Sequence, residues 1–401
     1  MQIGVLSLSQ AYINSYKGLS KNCWKGIFLG LTESIFIGVF YFLSIYFVNN
    51  LHFSVANSGL ILSFYGLGTI FGGILSGKLS DKFLPKKIAA FSLTIQGIGY
   101  LFLIKITSLQ LLIINSFVLG FAAYGFITAN HLWVLTQCEK NKKLKALNLL
   151  STASNLGLSI SAFCISSIIY FGFHYIFLFS GVSLLLLSTH LFFHKENHQL
   201  ELTTSGENHQ TLENKKEINS LVFNRLIMYA IVFFIGLIIA QNSSTYPIYI
   251  ETIFPNLGIK GVSYLFILNT LLVVLFEVPI GNFTIRFNKV IVVGCGCFLI
   301  GFGMFLLSMS SLFILAALAC VIYTVGEILF FSMAQLLCYD SGSKKGRALG
   351  MFRTIYASSR AVGPVAGGFI YSYLGGQIVW YLSGLIGIIC FTICMSYKKH
   401  Y

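Results

Sequence analysis

Long apolar segments separated by short polar connections run along almost the whole chain of 401 residues. Each segment holds about 20 mostly apolar residues, which is the length that an α-helix needs to cross the hydrocarbon core of a bilayer. The pattern predicts an all-α polytopic membrane protein with twelve transmembrane helices. We place them at residues 24–48, 56–77, 88–104, 109–136, 147–170, 174–193, 221–249, 261–280, 290–308, 312–337, 347–372 and 376–396.

One connection is longer and more polar than the others. Residues 194–220 are rich in glutamate and contain few apolar residues. A segment of this composition cannot bury enough apolar surface to fold by itself. We therefore predict a cytoplasmic linker at 194–220, between an N-terminal six-helix half at 1–193 and a C-terminal six-helix half at 221–401.

The two halves share short sequence patterns at a nearly constant separation. Gly77-Lys-Leu-Ser is matched by Gly281-Asn-Phe-Thr, and the Gly-x-Gly of residues 97–99 is matched by that of residues 301–303. A repeated pattern of this kind indicates an internal duplication. Two six-helix pseudo-repeats predict a transporter whose substrate site lies between them, near the middle of the membrane.

The charge distribution predicts the orientation of the chain. Only 9% of the residues are charged and 56% are hydrophobic, outside the usual range of soluble proteins. All but Lys105, Lys260 and Arg360 of the 26 lysines and arginines lie at one predicted end of the bundle. The formal charge of +14 therefore fits the positive-inside rule and not nucleic-acid binding. We expect cytoplasmic termini, in a bacterial cytoplasmic (inner) membrane.

The sequence predicts neither an enzyme nor a cofactor-binding protein. It has no cluster of metal-ligating residues, no G-x-S-x-G motif and no phosphate-binding loop. The nine cysteines lie mostly in apolar segments, where we expect them to act as small buried residues. A proton gradient would then supply the energy, and we expect the protein to act as a monomer.

A short stretch rich in glycine and charge ends the second predicted helix. It includes Gly73, Gly77, Asp81, Lys82 and Lys86. Small residues at this spacing let another membrane helix approach closely, and we expect that neighbour to be the eleventh helix, whose positive N-terminal end Asp81 would meet. We predict a cytoplasmic gate formed with residues of the second half: Glu277, Gly281, Arg286, Arg347 and Arg353.

These residues resemble known motifs. Residues 77–87 are similar to G-x-L-x-D-R-x-G-R-R, which transporters of the major facilitator superfamily carry after their second helix, and 276–281 are similar to the superfamily's F-E-x-P-x-G form. Residues 323–328 and 363–368 resemble Y-T-x-G-E-I and G-P-x-x-G-G of its twelve-span drug–proton antiporters, whereas Ser116 stands where these carry an arginine. The resemblance implies the major facilitator fold and proton-coupled transport.

Three acidic residues and one deeply placed arginine lie inside predicted helices, where an ionised side chain is costly unless it faces a cavity or a partner. They are Glu33, Glu277, Glu327 and Arg360. A carboxylic acid in a partly dry cavity can take up and release a proton, so Glu33 and Glu327 are candidate proton-coupling residues. Arg360 keeps its charge. It could pair with Glu327 or bind an anionic group of the substrate.

Polar and aromatic residues inside the apolar helices are the other candidates for substrate binding. Amphipathic rings together with a few hydrogen-bonding groups suit a broad amphiphilic ligand, although each residue alone could also serve helix packing. The candidates are Tyr41, Tyr124, Asn130, His131, Gln241, Asn242 and Tyr246.

Three functions remain open. The first is proton-coupled export of small amphiphilic molecules, drug-like or siderophore-like, by alternating access. The second is proton-coupled uptake of an anionic nutrient or metabolite bound at Arg360. The third is a membrane receptor without transport, which is disfavoured because charges inside a membrane are costly if unused. The expected partners are a small-molecule substrate, protons and the lipid bilayer, and no nucleic acid.

Overall fold

The computed structural model describes residues 19–80, 82–139, 142–193, 215–340 and 345–397, and these residues form helices and turns without a β-strand. Twelve long helical segments follow one another along the chain. We number them α1 Lys21–Asn50, α2 Val55–Ser80, α3 Pro85–Leu103, α4 Leu109–Thr136, α5 Lys143–Ile168, α6 Phe173–Phe193, α7 Lys215–Ala240, α8 Ile259–Thr284, α9 Lys289–Ser308, α10 Phe313–Asp340, α11 Lys345–Leu374 and α12 Gly376–Tyr397.

Local sequence explains several helix ends. Ser20 caps α1 by accepting a hydrogen bond from the backbone N–H of Cys23, and Asn288 caps α9 in the same manner. Gly172 and Gly375 have φ values of 101° and 100°, which only glycine adopts at little cost, and they make the tight turns before α6 and α12. These two turns occupy equivalent places in the two halves.

Two helices change their geometry within the bundle. The last part of α1 passes through a 3₁₀ segment at Gly38–Phe42 and a π turn at Tyr46–Asn50. After α7, a 3₁₀ turn at Gln241–Ser243 leads into a short helix, Thr245–Ile253. Irregular backbone at this depth is tolerated where it is enclosed by protein or lines a cavity.

The described helices fit a polytopic membrane protein. Ten of them are long and apolar enough to cross a membrane by length and composition. The other two are α3 and α11, which carry more polar residues. The prediction of an all-α polytopic membrane protein is confirmed for the described residues. Residues 215–220 of the predicted linker begin α7, whereas 194–214 lie outside the described residues, so the exact limits of the halves stay predictions.

The two halves repeat the same helix packing. In the first half, α1 packs on α5, α2 on α4, and α3 on both α4 and α6. In the second half, α7 packs on α11, α8 on α10, and α9 on both α10 and α12. The two main contacts between the halves, α5 with α8 and α11 with α2, are related in the same way. This equivalence is what an internal duplication produces.

Glycines allow α2 to approach two neighbours closely. A Cβ atom on Gly68 would overlap backbone atoms of α4, and a Cβ atom on Gly59 or Gly66 would overlap backbone atoms of α11. Of the α2 glycines whose added Cβ would meet α11, Gly66 lies furthest along the helix. Further along α2, Gly73 lies beside α4, and Gly77 would have no atom within 4 Å of an added Cβ.

The predicted packing of the gate stretch on α11 is therefore wrong for this conformation. A Cβ atom on either glycine of that stretch would not meet α11, and the glycines that do contact it, Gly59 and Gly66, lie about two to five turns earlier in α2. The physical reason is that Gly73 lies on the face of α2 that packs on α4, beside Tyr124 and Thr128.

Candidate functional site

A cavity of about 300 Å³ lies between the two halves. Its walls come from α1, α5, α8, α10 and α11 and from the turn after α7. Among the described residues, the charged side chains that line it are Glu277, Glu327 and Arg360. The sequence predicted all three as charges inside the membrane, and the structure places them in one cavity.

The cavity extends towards one end of the bundle. We call this end, which bears the α2–α3, α4–α5, α8–α9 and α10–α11 connections, the basic end because most lysines and arginines lie there. Ser151 of α5 and Gln335 of α10 line the cavity at this end and are exposed to solvent. The structure is therefore open towards the basic end, which is the predicted cytoplasmic side.

Contacts between the halves close the opposite end. The Asn49 side-chain amide donates a hydrogen bond of 2.8 Å to a carboxylate oxygen of Glu251. The ammonium group of Lys260 lies 4.9 Å from the ring centroid of Tyr170, and the backbone N–H of Ala56 donates to the hydroxyl of Ser372 at 2.9 Å. All three contacts join a residue of the first half to a residue of the second half, so they hold the halves together at this end.

Arg360 lies deep in the cavity among tyrosines. Its guanidinium donates a hydrogen bond of 3.1 Å to the hydroxyl of Tyr124, and the phenol groups of Tyr41 and Tyr356 are also close to it. No ion pair joins Arg360 to a carboxylate among the described residues. The hypothesis that Arg360 pairs with Glu327 is therefore wrong for this conformation.

The acidic part of the cavity is built by α8 and α10. The side-chain amide of Asn269 donates a hydrogen bond of 3.2 Å to a carboxylate oxygen of Glu327 and one of 2.9 Å to the hydroxyl of Thr324. These two bonds fix the orientation of the amide. Glu277 also lines the cavity, two turns further along α8. Among the described side chains, no hydrogen-bond donor to Glu277 is present. Glu277 was predicted as part of the gate, and the structure places it in the cavity wall.

Aromatic and amide side chains complete the wall. Tyr41 packs on Phe266 of the other half, with ring centroids 4.4 Å apart, and both line the cavity. Asn242 lines it from the turn after α7 and donates to the hydroxyl of Tyr323. Sequence reasoning identified Tyr41 and Asn242 but missed Asn269 and Tyr356. An amide within the apolar run 261–280, and a tyrosine one turn before Arg360, were the available signals.

Several predicted substrate residues serve helix packing instead. Asn130 donates to the backbone carbonyl of Gly26 at 3.1 Å, and Gln241 donates to that of Gly363 at 2.9 Å. Tyr246 packs edge-on against Trp380. The two amides hydrogen-bond to backbone carbonyls of neighbouring helices, and the tyrosine ring packs on a neighbouring ring. None of these side chains lines the cavity.

Glu33 and His131 also lie outside the cavity. Glu33 is only 2% exposed and faces Gln96 of α3 inside the first half. One of its carboxylate oxygens has no hydrogen-bond partner. His131 is half-buried near the basic end of α4. The proton-coupling role of Glu33 stays a prediction, and any proton on it would be separated from the cavity by protein.

The described residues of the predicted gate do not form one cluster in this conformation. Lys86 lies 5.9 Å from the ring centroid of Trp133 in its own half. Gly281 lies near Ser332, again within one half. Three cations are exposed: Lys82, Arg286 and Arg353. Asp81 and the side chain of Arg347 lie outside the described residues, so the gate stays a prediction.

Comparison with known sequences identifies the family. The sequence profile of the Major Facilitator Superfamily matches residues 26–364 and 256–399. A relative from Methanocaldococcus jannaschii, described as an uncharacterized MFS-type transporter, is 26% identical over 136 residues, which are 33% of this chain and 35% of that relative. The match thus spans about a third of the relative's length.

Solved structures with a similar fold are transporters. The nucleoside transporter NupG has a TM-score of 0.77 and 16% identity, over 95% of this chain and 100% of that one. An auto-inhibited peptide transporter of the POT family has a TM-score of 0.76 and 13% identity, over 95% and 97%. A D-xylose–proton symporter has a TM-score of 0.69 and 15% identity, over 93% and 95%. At these identities the likeness shows the fold.

The family profile covers nearly the whole chain, and the helices repeat the duplicated arrangement with a cavity between the halves. The protein belongs to the Major Facilitator Superfamily and is a membrane transporter.

Proposed function

We propose that the protein is a proton-coupled secondary transporter of a small solute that carries an anionic group, which Arg360 binds. The observation behind this proposal is that Arg360 lies in the cavity without a carboxylate partner among the described residues. An arginine keeps its charge in a protein, and a guanidinium away from bulk water needs an anion or strong acceptors around it. Tyrosine hydroxyls stabilise the charge in part, and an anionic group of the cargo would complete its environment.

The carboxyl group of Glu327 is the candidate for coupling to protons. It faces the same cavity as Arg360 and is held by Asn269. An ionised Glu327 repels an anionic solute, whereas a protonated Glu327 does not. Anion and proton therefore favour each other's binding, which supports movement of both in the same direction. This is the second of the functions that the sequence left open.

Export of amphiphilic molecules is the second candidate. The aromatic wall formed by Tyr41, Phe266 and Phe331 favours it, because flat apolar surfaces bind drug-like rings. The resemblance of residues 323–328 and 363–368 to drug–proton antiporters supports the same proposal. An exporter of this kind would take up a proton as it releases its cargo, so the two candidates differ in the direction of the proton relative to the solute.

Transport into proteoliposomes under an imposed pH gradient tests the proposal. Radiolabelled benzoate serves as an anionic aromatic probe and benzylamine as a cationic one. Benzoate should accumulate with an inward proton gradient beyond its passive accumulation in protein-free liposomes, and Arg360→Gln should abolish this excess. Lys105→Gln, which removes a positive charge from the exposed α3–α4 connection, is the matched control and should transport normally.

Glu327→Gln separates binding from coupling. The variant should bind benzoate, because its amide does not repel an anion, but it should not respond to the pH gradient. Glu139→Gln removes a carboxylate from an exposed ion pair with Lys142 and serves as its control. Gradient-driven transport that survives in Glu327→Gln would contradict the coupling role. Uptake of benzylamine against the proton gradient, unaffected by Arg360→Gln, would favour the export candidate.

A further inference from the structure

We propose that the cargo is dipolar, with an anionic group bound by Arg360 and a separate amino group bound by Glu277. This inference rests on the proposed transport of an anion-bearing solute and adds a second binding group to the same site. It assigns Glu277 to cargo recognition, whereas its sequence motif predicted a role in the gate.

The cavity presents both signs of charge to its contents. Arg360 supplies a permanent positive charge from α11, and two carboxyl groups face the same space from α8 and α10. A cargo with only an anionic group would leave the carboxyl groups without a cation. A cargo with only an amino group would leave Arg360 without an anion. A dipolar cargo is complementary to both parts of the wall.

Glu277 is the carboxyl group that is available to an amine. Glu327 already accepts a hydrogen bond from Asn269, whereas Glu277 accepts none among the described side chains. Its carboxylate lies on the part of the wall nearer the basic end, towards which the cavity is open. Because a buried or half-buried carboxylate is costly without a donor, an ammonium group of the cargo would stabilise it.

The positions of these groups indicate how far apart the charges of the cargo lie. Glu277 follows Asn269 by eight residues, which corresponds to about 12 Å along α8. Phe266 precedes Asn269 by a further three residues, or about 4.5 Å along α8, and packs on Tyr41 beside Arg360. The two charged groups of the cargo are therefore separated by a spacer and are not carried by one carbon atom. An aromatic or alkyl ω-amino carboxylate has this form.

Binding of four probes to the purified protein in nanodiscs, measured by calorimetry, tests this inference. The first three share one ring: 4-(aminomethyl)benzoate has both charges, 4-methylbenzoate has the anion alone, and 4-methylbenzylamine has the cation alone. Phenylalanine has both charges on one carbon. A charge-assisted hydrogen bond contributes enough that 4-(aminomethyl)benzoate should bind at least about tenfold more tightly than each of the others.

Variants assign each charge to its residue. Glu277→Gln should remove the advantage of 4-(aminomethyl)benzoate over 4-methylbenzoate. The affinity for 4-methylbenzoate should be at least as high as in the unaltered protein, because a carboxylate that repels an anion is removed. Arg360→Gln should remove the binding of both acids. Glu139→Gln, in which an exposed carboxylate is lost, should behave as the unaltered protein does. The retained affinity for 4-methylbenzoate shows that Glu277→Gln is folded.

The outcomes separate this inference from the proposed function. If 4-methylbenzoate binds as tightly as 4-(aminomethyl)benzoate, the dipolar cargo is excluded and the anion site at Arg360 stands. If phenylalanine binds most tightly, the spacing is wrong. If 4-methylbenzylamine binds most tightly, both the dipolar cargo and the proposed anion transport are excluded. Failure of all four probes to bind at millimolar concentration would overturn the assignment of an aromatic-sized dipolar cargo.

Discussion

The two halves are in contact at one end of the bundle and are separated by the open cavity at the other. At the end opposite the basic end, polar side chains from both halves meet, as Asn49 and Glu251 do, and glycines of α2 allow backbone contact with α11. At the basic end, Lys82 of the first half and Arg286 and Arg353 of the second half are exposed, and the cavity reaches solvent. The comparison teaches that specific contacts between the halves accompany closure, and that in this conformation the described residues make them at one end.

Fixing the closed end permanently should have the largest effect. Cysteines at Asn49 and Glu251, joined by a short bifunctional methanethiosulfonate reagent, would hold the halves together at that end. Transport should stop almost completely, because alternating access requires this end to open. Uptake into proteoliposomes before and after the reagent measures the loss, and a thiol reductant should restore it. Inhibition of either single-cysteine variant to the same extent would contradict the interpretation.

Separating α2 from α11 should have the next largest effect. In Gly66→Val, the new side chain would meet backbone atoms of Arg360 and Ala361. Overpacking of this kind costs about 1–3 kcal/mol, so the closed arrangement should lose population by about 5- to 150-fold relative to the open one. Double electron–electron resonance between spin labels at residues 50 and 374 should report a longer distance.

Gly350→Ala is the matched control for Gly66→Val. Gly350 lies on exposed α11 surface and has no atom within 4 Å of an added Cβ. In the Gly350→Ala protein, the distribution of distances between the spin labels at residues 50 and 374 should stay unchanged. A Gly66→Val protein with the distribution of the unaltered protein and an unchanged melting temperature would show that the α2–α11 contact does not control closure.

A smaller effect should come from the pH dependence of Glu251, which lies beyond the predicted span 221–249. Burial raises the pKa of this carboxyl group, and the hydrogen bond from Asn49 opposes the shift. The closed arrangement therefore holds the proton more tightly than an open one does, so it should be favoured at low pH and lose population as the pH rises through this pKa. Glu251→Gln should remove the dependence, measured with the same spin labels between about pH 4 and pH 8.

The smallest effect should come from the contact between Lys260 and Tyr170. A cation over an exposed aromatic ring contributes little because water competes for the charge. Lys260→Gln should therefore shift the closed population less than Gly66→Val does, and Tyr170→Leu should shift it equally. If the shift in closed population of the double variant equals the sum of the two single shifts, the two residues act separately. Their contact would then not be what stabilises the closed end.

The sequence predicted the fold well because membrane constraints are local. Every helix has to hydrogen-bond its own backbone N–H and C=O groups and present apolar side chains to lipid. Each span can therefore be recognised from its own residues. The cavity charges Glu277, Glu327 and Arg360 could be found for the same reason, since a charge inside an apolar run is costly unless it faces a cavity or a partner. Their exact partners depend on neighbouring helices and could not be read from the sequence.

Uncharged polar residues were harder to interpret. Asn130 and Gln241 hydrogen-bond to backbone carbonyls of neighbouring helices, whereas Asn269 and Asn242 line the cavity. An amide in an apolar segment satisfies either environment at similar cost, and only the rotation of its helix decides between them. The position of Glu33 was missed for a related reason. The sequence does not tell whether a buried helix face lies against the cavity between the halves or against other helices of its own half.

The close contact between Gly66 and α11 has a mechanical consequence for the cargo. The backbone carbonyl of Arg360 is among the atoms that Gly66 approaches, so the anion-binding residue lies within the close contact between α2 and α11. Points near the fulcrum of a lever move least while its arms swing. A solute held by Arg360 would stay nearly still while the entrances on either side of it open and close, and it would not have to be handed from one set of residues to another.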